Sequence, residues 1–199
     1  MSRNIHYGCG LSAPDSWENY DISPSLRLKS IPLVGSLVKV EWPSNVKYGD
    51  IIKGIAPDNT VAFAYCSHVL EHLSLQDCRQ AIKNTHNMLA KGGVFRLVVP
   101  DLKKLVELYM ISGDSISFIK DTLLGKESRM RGVKGIIHHI FSNRNHLWMW
   151  DYDTLAKELE LAGFKEIRRA SFNDSMHDIF KDVEEAPRFE NAVAIEAVK

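Results

Sequence analysis

Two short stretches of this sequence gather side chains whose types and spacing suit chemistry. The first is Gly8-Cys9-Gly10, followed eleven residues after Gly10 by Asp21. Glycines at a strand end let the backbone pass close to a ligand, and an acidic residue closing the next strand can accept hydrogen bonds from both hydroxyls of a ribose. The same residues also suit a tight turn and an ordinary strand-ending aspartate. With a short interval and no third glycine the pattern departs from a dinucleotide fingerprint, which favours a nucleoside ligand without phosphates. The second stretch is Cys66-Ser67-His68-Val69-Leu70-Glu71-His72. Its last five residues match the H-x-x-E-H string of inverted zincin peptidases, in which two histidines one helical turn apart bind zinc and the glutamate acts as base. A zinc hydrolase built on His68 and His72 needs a helix from Ser67 and a third ligand, for which Glu184 or Glu190 is available. Histidines that merely cap and pack a strand-to-helix junction are the competing reading, and the expectation is that no metal is bound.

A third group lies between Ile116 and Trp150. It holds Lys126, Arg129, Arg131, Lys134 and Arg144, with His138, His139 and His146 and the run Leu147-Trp148-Met149-Trp150. In a lid, these aromatic and histidine side chains would form an acceptor pocket, with His146 or His139 taking a proton from a hydroxyl. Trp148 and Trp150 suit a core equally well, and the basic residues from 126 to 134 suit a solvated face.

The elements that must position these groups alternate between strand-like and helix-like patterns, as in an α/β fold. Short strands are expected over 4–7, 18–22 and 46–48, and Val61-Ala62-Phe63-Ala64-Tyr65 reads as a strand buried on both faces of a parallel sheet. Leu75, Cys78, Ile82, Thr85 and Leu89 recur at helical spacing, with Ser74 and Asp77 as a capping pair and Gly92-Gly93 as the exit. A strand over 94–99 stops at Pro100, and Asp101 caps a helix over about 102–111. Asp151 or Asp153 caps a helix over 152–162, and residues 165–171 and 191–198 read as two antiparallel strands at one sheet edge. The strand ends of such a sheet bring Gly8–Gly10 and Ser67–His72 to one crevice.

Composition narrows the function. A chain of 199 residues with 45% apolar and 25% charged residues is expected to form one globular domain, and 25 basic against 25 acidic residues leave no broad positive field for nucleic acid. Three cysteines, Cys9, Cys66 and Cys78, form no C-x-x-C pair, which suits a reducing, cytoplasmic setting. Neither a signal peptide nor a membrane span is expected, since the best apolar stretch, Ile31 to Val40, is broken by Pro32, Gly35 and Lys39.

In order and spacing, these motifs resemble class I S-adenosylmethionine-dependent methyltransferases, in particular the small type 11-like group. The matching segments are Ile5 to Gly10, Trp17 to Ser23, Gly49-Asp50-Ile51, Tyr65 to Leu73, Met88 to Gly93 and Val99-Pro100-Asp101, with a weaker likeness from Tyr152 to Phe164. The resemblance implies a Rossmann-like, seven-stranded, mainly parallel sheet flanked by helices, with a reversed C-terminal hairpin. It also implies one methyltransferase domain over 1–199, with a lid or acceptor insertion at about 116–150. It implies that Gly8, Cys9 and Gly10 line the methionine part of S-adenosylmethionine, that Asp21 holds the ribose and that Ile22 packs on adenine. Asp50 and Ile51 would flank the adenine amino group, and Cys66, Ser67 and His68 would border the sulfonium. S-adenosylhomocysteine would be the product, and His68 or His146 the base toward a hydroxyl on a small-molecule or glycan acceptor. A protein that binds the cofactor without catalysis is the other alternative. The chain lacks the helices that usually precede the first strand, and Leu11 to Trp17 is too short for a full crossover helix. An abbreviated N-terminus and a more open cofactor face follow from that.

Overall fold

The computed structural model describes residues 3–29, 31, 35, 40–126 and 145–199. Strands β1 (Arg3–Tyr7), β2 (Glu18–Asp21), β3 (Val46–Tyr48), β4 (Val61–Ser67), β5 (Leu89–Pro100), β6 (Lys165–Ala170) and β7 (Ala192–Val198) form one sheet in the order β3-β2-β1-β4-β5-β7-β6. β1 to β5 run parallel, and β7 runs antiparallel to both β5 and β6. This is the expected Rossmann-like sheet with its reversed hairpin. Strand order reverses direction between β1 and β4, and a crevice opens beyond the strand ends at such a point.

Helices α1 (Pro24–Lys29), α2 (Leu75–Met88), α3 (Leu102–Ser112), α4 (Ser115–Asp121) and α5 (Tyr152–Leu161) connect the strands. Local side chains fix their starts. Ser74 Oγ accepts from the Asp77 N–H at 3.2 Å, Asp101 Oδ1 from Lys103 at 2.9 Å, and Asp151, rather than Asp153, from Thr154 at 2.9 Å. The end of α2 differs from expectation. Leu89 is fully buried and already extended, pairing with Val61 of β4, so the helix stops at Met88 and Gly92-Gly93 fall inside β5. Among the described residues no helix is long and apolar enough to cross a membrane.

The period-two alternation of the strands splits the core between two faces. Ile5, Tyr7, Cys66, Phe95 and Leu97 pack against Ile82 of α2 and Leu155 and Leu159 of α5. Tyr65, Val94 and Val98 pack on the other face against Trp17, Phe180 and Val183. That second face overturns the expectation of openness. The β1–β2 connection carries no helix, but the β6–β7 connection, with 3-10 turns at Asp178–Asp182 and Ala186–Phe189, takes its place. The Trp17 indole N–H donates to the Ile179 carbonyl at 3.2 Å, and its ring lies 5.6 Å from that of Phe180. Arg96, in the middle of β5, also points to this side. It contacts Glu184, Glu196 at 3.0 Å, Asp174 at 2.9 Å and the Ser171 carbonyl at 2.6 Å. Glu184 is therefore an ion-pair partner in the core and not the third zinc ligand envisaged from sequence.

Candidate functional site

The site is built at the ends of β1, β2, β3 and β4. Gly8, just past β1, has φ 65°, and a Cβ there would stand 2.2 Å from Val69 Cγ2. Only glycine lets the β1 turn close on the segment that follows β4. Gly10 has φ 56° with no atom within 4 Å of a would-be Cβ, so its backbone borders open space. Asp21 ends β2 beside it. Its Oδ2 accepts from the Gly10 N–H at 2.9 Å and its Oδ1 from the Ser23 N–H at 2.7 Å, so the carboxylate is fixed while each oxygen keeps a further lone pair. The Gly49 N–H donates to the Asp21 carbonyl at 3.1 Å and brings the end of β3 alongside.

The remaining expected residues divide. Ile22 is half exposed next to Asp21, an apolar surface available to a flat ring. Asp50 caps the 3-10 turn Ile51–Lys53 by accepting from the Ile52 N–H at 3.0 Å. The side chains of Ile51 and Cys66 are corrections to the sequence reading, since both are buried in the α2 side of the core and only their backbones can border a ligand. Cys9 is buried against Trp42 and Val46, and burial pushes its thiol up to about 12. A cavity of about 10 Å³ is lined by His6, Gly8, Cys9, Ser12, Tyr65, Ser67 and residues of the 183–188 segment. Three of its walls carry buried polar atoms without a hydrogen-bond partner: His6 Nδ1, Tyr65 Oη and Ser67 Oγ.

His68 closes β4 with a left-handed backbone, φ 55°, a conformation that costs a non-glycine residue about 1–3 kcal/mol. Its N–H donates to the Val98 carbonyl at 2.9 Å, and its Nε2 donates to the Arg188 carbonyl at 2.9 Å. Nδ1 lies 3.3 Å from Glu71 Oε1. Burial pulls the His68 pKa down, but Glu71 and the Arg188 carbonyl outweigh it, so the ring holds its proton more tightly than usual. The zincin helix does not form. Instead, a 3-10 turn, Leu70–His72, carries Glu71 and His72 toward His146. The His72 and His146 rings lie 5.0 Å apart, and burial depresses the His146 pKa, with Glu71 opposing. His146 is not part of the cavity lined by His6 and Ser67. Trp150 is buried 2% exposed, whereas Trp148 is 42% exposed. Arg129, Arg131, Lys134, His138, His139 and Arg144 lie outside the described residues.

Sequence reasoning missed two things here: the pairing of His72 with His146, and the contact of Arg188 with His68. Neither has a local signal, since 73 residues separate His72 from Asn145 and 120 separate His68 from Arg188.

Residues 9–168 match the family described as a methyltransferase domain. No curated protein matches the chain. Among solved structures, an S-adenosylmethionine-dependent methyltransferase of Thermotoga maritima, described as a possible histamine N-methyltransferase, aligns with a TM-score of 0.58 at 16% identity, over 100% of this chain and 83% of that one. A second such methyltransferase, from Archaeoglobus fulgidus, gives 0.57 at 16% identity over 100% and 86%. Phosphoethanolamine N-methyltransferase 2 of Haemonchus contortus, in complex with S-adenosyl-L-methionine, gives 0.50 at 12% identity over 100% and 49%. At these identities the likeness is one of fold.

Proposed function

The chain belongs to the methyltransferase domain family, and from that premise we propose that it transfers the methyl group of S-adenosylmethionine to a hydroxyl on a small-molecule or glycan acceptor. The observation that carries the cofactor reading is Asp21: a carboxylate fixed by two backbone N–H groups at a strand end, beside open space over Gly10 and an exposed Ile22. The residue types suit the parts of the cofactor, and the cavity of about 10 Å³ between them must widen to admit it. Asp21 would hold the ribose hydroxyls and Ile22 the adenine. Gly8, Gly10 and the unpartnered polar atoms of His6, Tyr65 and Ser67 would face the methionine part.

The bound sulfonium supplies a methyl group that is already activated, so the protein's task is to hold the acceptor in line with it and to exclude water. Ser67 and His68, at the end of β4, border that position, and the 183–188 segment shields it from one side. His68 is the side chain placed to receive the hydroxyl proton once Nε2 leaves the Arg188 carbonyl and gives up its proton, with Nδ1–H held toward Glu71. A hydroxyl on a small molecule or sugar is supported by the half-exposed Trp148, whose backbone N–H donates to the Glu71 carbonyl just beyond β4.

Calorimetric titration with S-adenosylhomocysteine tests this. Asp21→Ala should bind about 10- to 100-fold more weakly than wild type through loss of charge-assisted ribose hydrogen bonds. His68→Gln should keep the affinity and lose turnover. Equal binding by wild type and Asp21→Ala would remove the assignment.

A further inference from the structure

The sequence pattern pairs His68 with His72, but the fold pairs His72 with His146. One ligand atom each from Glu71, His72 and His146 lies within 4.8 Å of the others. Glu71 is fully buried, and Oε2 of its carboxylate has no hydrogen-bond partner. A carboxylate removed from water in this way requires positive charge beside it. His68 stands 3.3 Å from Oε1, an ion-pair contact that leaves Oε2 without a neighbour of its own. His72 is already oriented. Its Nδ1 lies 3.2 Å from the Asn145 carbonyl, which can only accept, so Nδ1 carries the proton and Nε2 keeps its lone pair. A backbone carbonyl holding the far nitrogen of an imidazole is how metal-ligating histidines are commonly set. The two segments are clamped by the backbone, since the Leu147 and Trp148 N–H groups donate to the Glu71 carbonyl at 2.7 and 3.2 Å.

We infer that Glu71, His72 and His146 form a binding site for one divalent first-row transition-metal ion, with the carboxylate supplying charge and the two imidazoles supplying nitrogen donors. Two imidazoles and one carboxylate suit zinc, manganese, iron or cobalt and leave coordination positions for water or a substrate oxygen. This departs from the expectation of no metal, and also from the zincin reading, which used His68 where the fold supplies His146. The site adjoins the proposed methyl-transfer position through His68, which touches Glu71 on one side and Arg188 of the cavity wall on the other. Use of an open position by an acceptor oxygen rests on the methyltransferase reading; binding of the ion does not.

The test is calorimetric titration of the metal-stripped, full-length protein with zinc(II) and with manganese(II). Wild type should take up one ion per chain, and His72→Ala and His146→Ala should each weaken uptake by about 100-fold, at the upper end of what even outer-shell changes cause. His177→Ala, remote from the cluster, should bind as wild type does. Cobalt(II) should give visible d–d absorption in wild type that His146→Ala lacks. S-adenosylhomocysteine affinity should be unchanged in His146→Ala, which shows that the variant is folded and keeps the two readings separable. No stoichiometric uptake by wild type, uptake retained in both ligand variants, or equal loss in His177→Ala would overturn the site.

Discussion

Arg96 and Glu71 are both fully withdrawn from solvent, yet one is surrounded by partners and the other is not. Arg96 meets Glu184, Glu196, Asp174 and the Ser171 carbonyl, and the acids are held in turn. Glu184 Oε2 accepts from the Asn173 N–H at 2.6 Å, and Glu196 also pairs with Arg168 at 2.7 Å. Each guanidinium nitrogen and each oxygen of Glu184 and Glu196 has a partner within the chain, which is the condition for a buried charge to serve the fold. Glu71 has His68 at 3.3 Å from Oε1 and no partner for Oε2, and a ligand atom of His72 and of His146 lies within 4.8 Å of its carboxylate. A buried carboxylate oxygen that the chain leaves without a partner points to something outside the chain. The two clusters thus separate structural polarity from functional polarity by their hydrogen-bond balance, not by their burial.

The largest effect should come from breaking the satisfied cluster. Arg96→Leu leaves Glu184 buried without a counter-charge and Glu196 with Arg168 alone, and should cost about 3–5 kcal/mol. Replacing the arginine and both acids together by apolar residues should recover most of that loss. Urea denaturation of the single and triple variants measures both, and an Arg96→Leu protein as stable as wild type would show that the cluster holds nothing together.

His6 sharpens the comparison as a group buried in its neutral form. Burial holds its imidazole down at about 4, with Asn19 opposing and the Arg188 charge adding to the depression. The unfolded chain takes a proton on this residue below about 6.5 and the folded chain does not until about 4. Stability is therefore fully present above pH 6.5 and falls on acidification, by up to about 3 kcal/mol near pH 4. His6→Gln should flatten that part of the stability–pH curve, and identical curves for the two proteins would discard the argument.

The smallest effect should lie at Glu71 and should have the opposite sign to that at Arg96. Without divalent ions, Glu71→Gln removes a buried carboxylate oxygen that nothing in the chain answers and should stabilise the protein by about 1 kcal/mol. With zinc(II) or manganese(II) present the order should reverse, because an ion bound only by the folded wild type adds to its stability. Thermal melts with chelator and with metal decide this, and a Glu71→Gln protein that is less stable than wild type under both conditions to the same extent would contradict it.

Much of the scaffold was legible because its determinants are local. The apolar run in β4, the helical stripe of α2, the caps Ser74, Asp101 and Asp151, and the turns at Gly8 and Gly10 depend on side-chain period, on one hydrogen bond a few residues away, or on a backbone angle that glycine alone adopts readily. The place of Asp21 at the end of β2, beside Gly10, was legible because adjacent parallel strands end side by side. The end of α2 was misplaced because a fully buried Leu89 joined the sheet before the glycines that seemed to mark the exit. Ile51 and Cys66 were placed in the site by motif, whereas the side of the chain they present was set by the core that packed around them.

What the sequence alone determined, then, is the order of strands and turns that brings Gly8–Gly10, Asp21, Asp50 and Ser67–His68 to neighbouring strand ends. What only the tertiary structure decided are the long-range meetings. The β6–β7 connection covers the face left bare by a missing crossover helix, and Arg96 finds Glu184 88 residues away. His72 and His146 close on a carboxylate that only His68 otherwise faces. Such contacts are selected by the balance of buried charge and volume in the whole fold, and no spacing within a single element carries that balance.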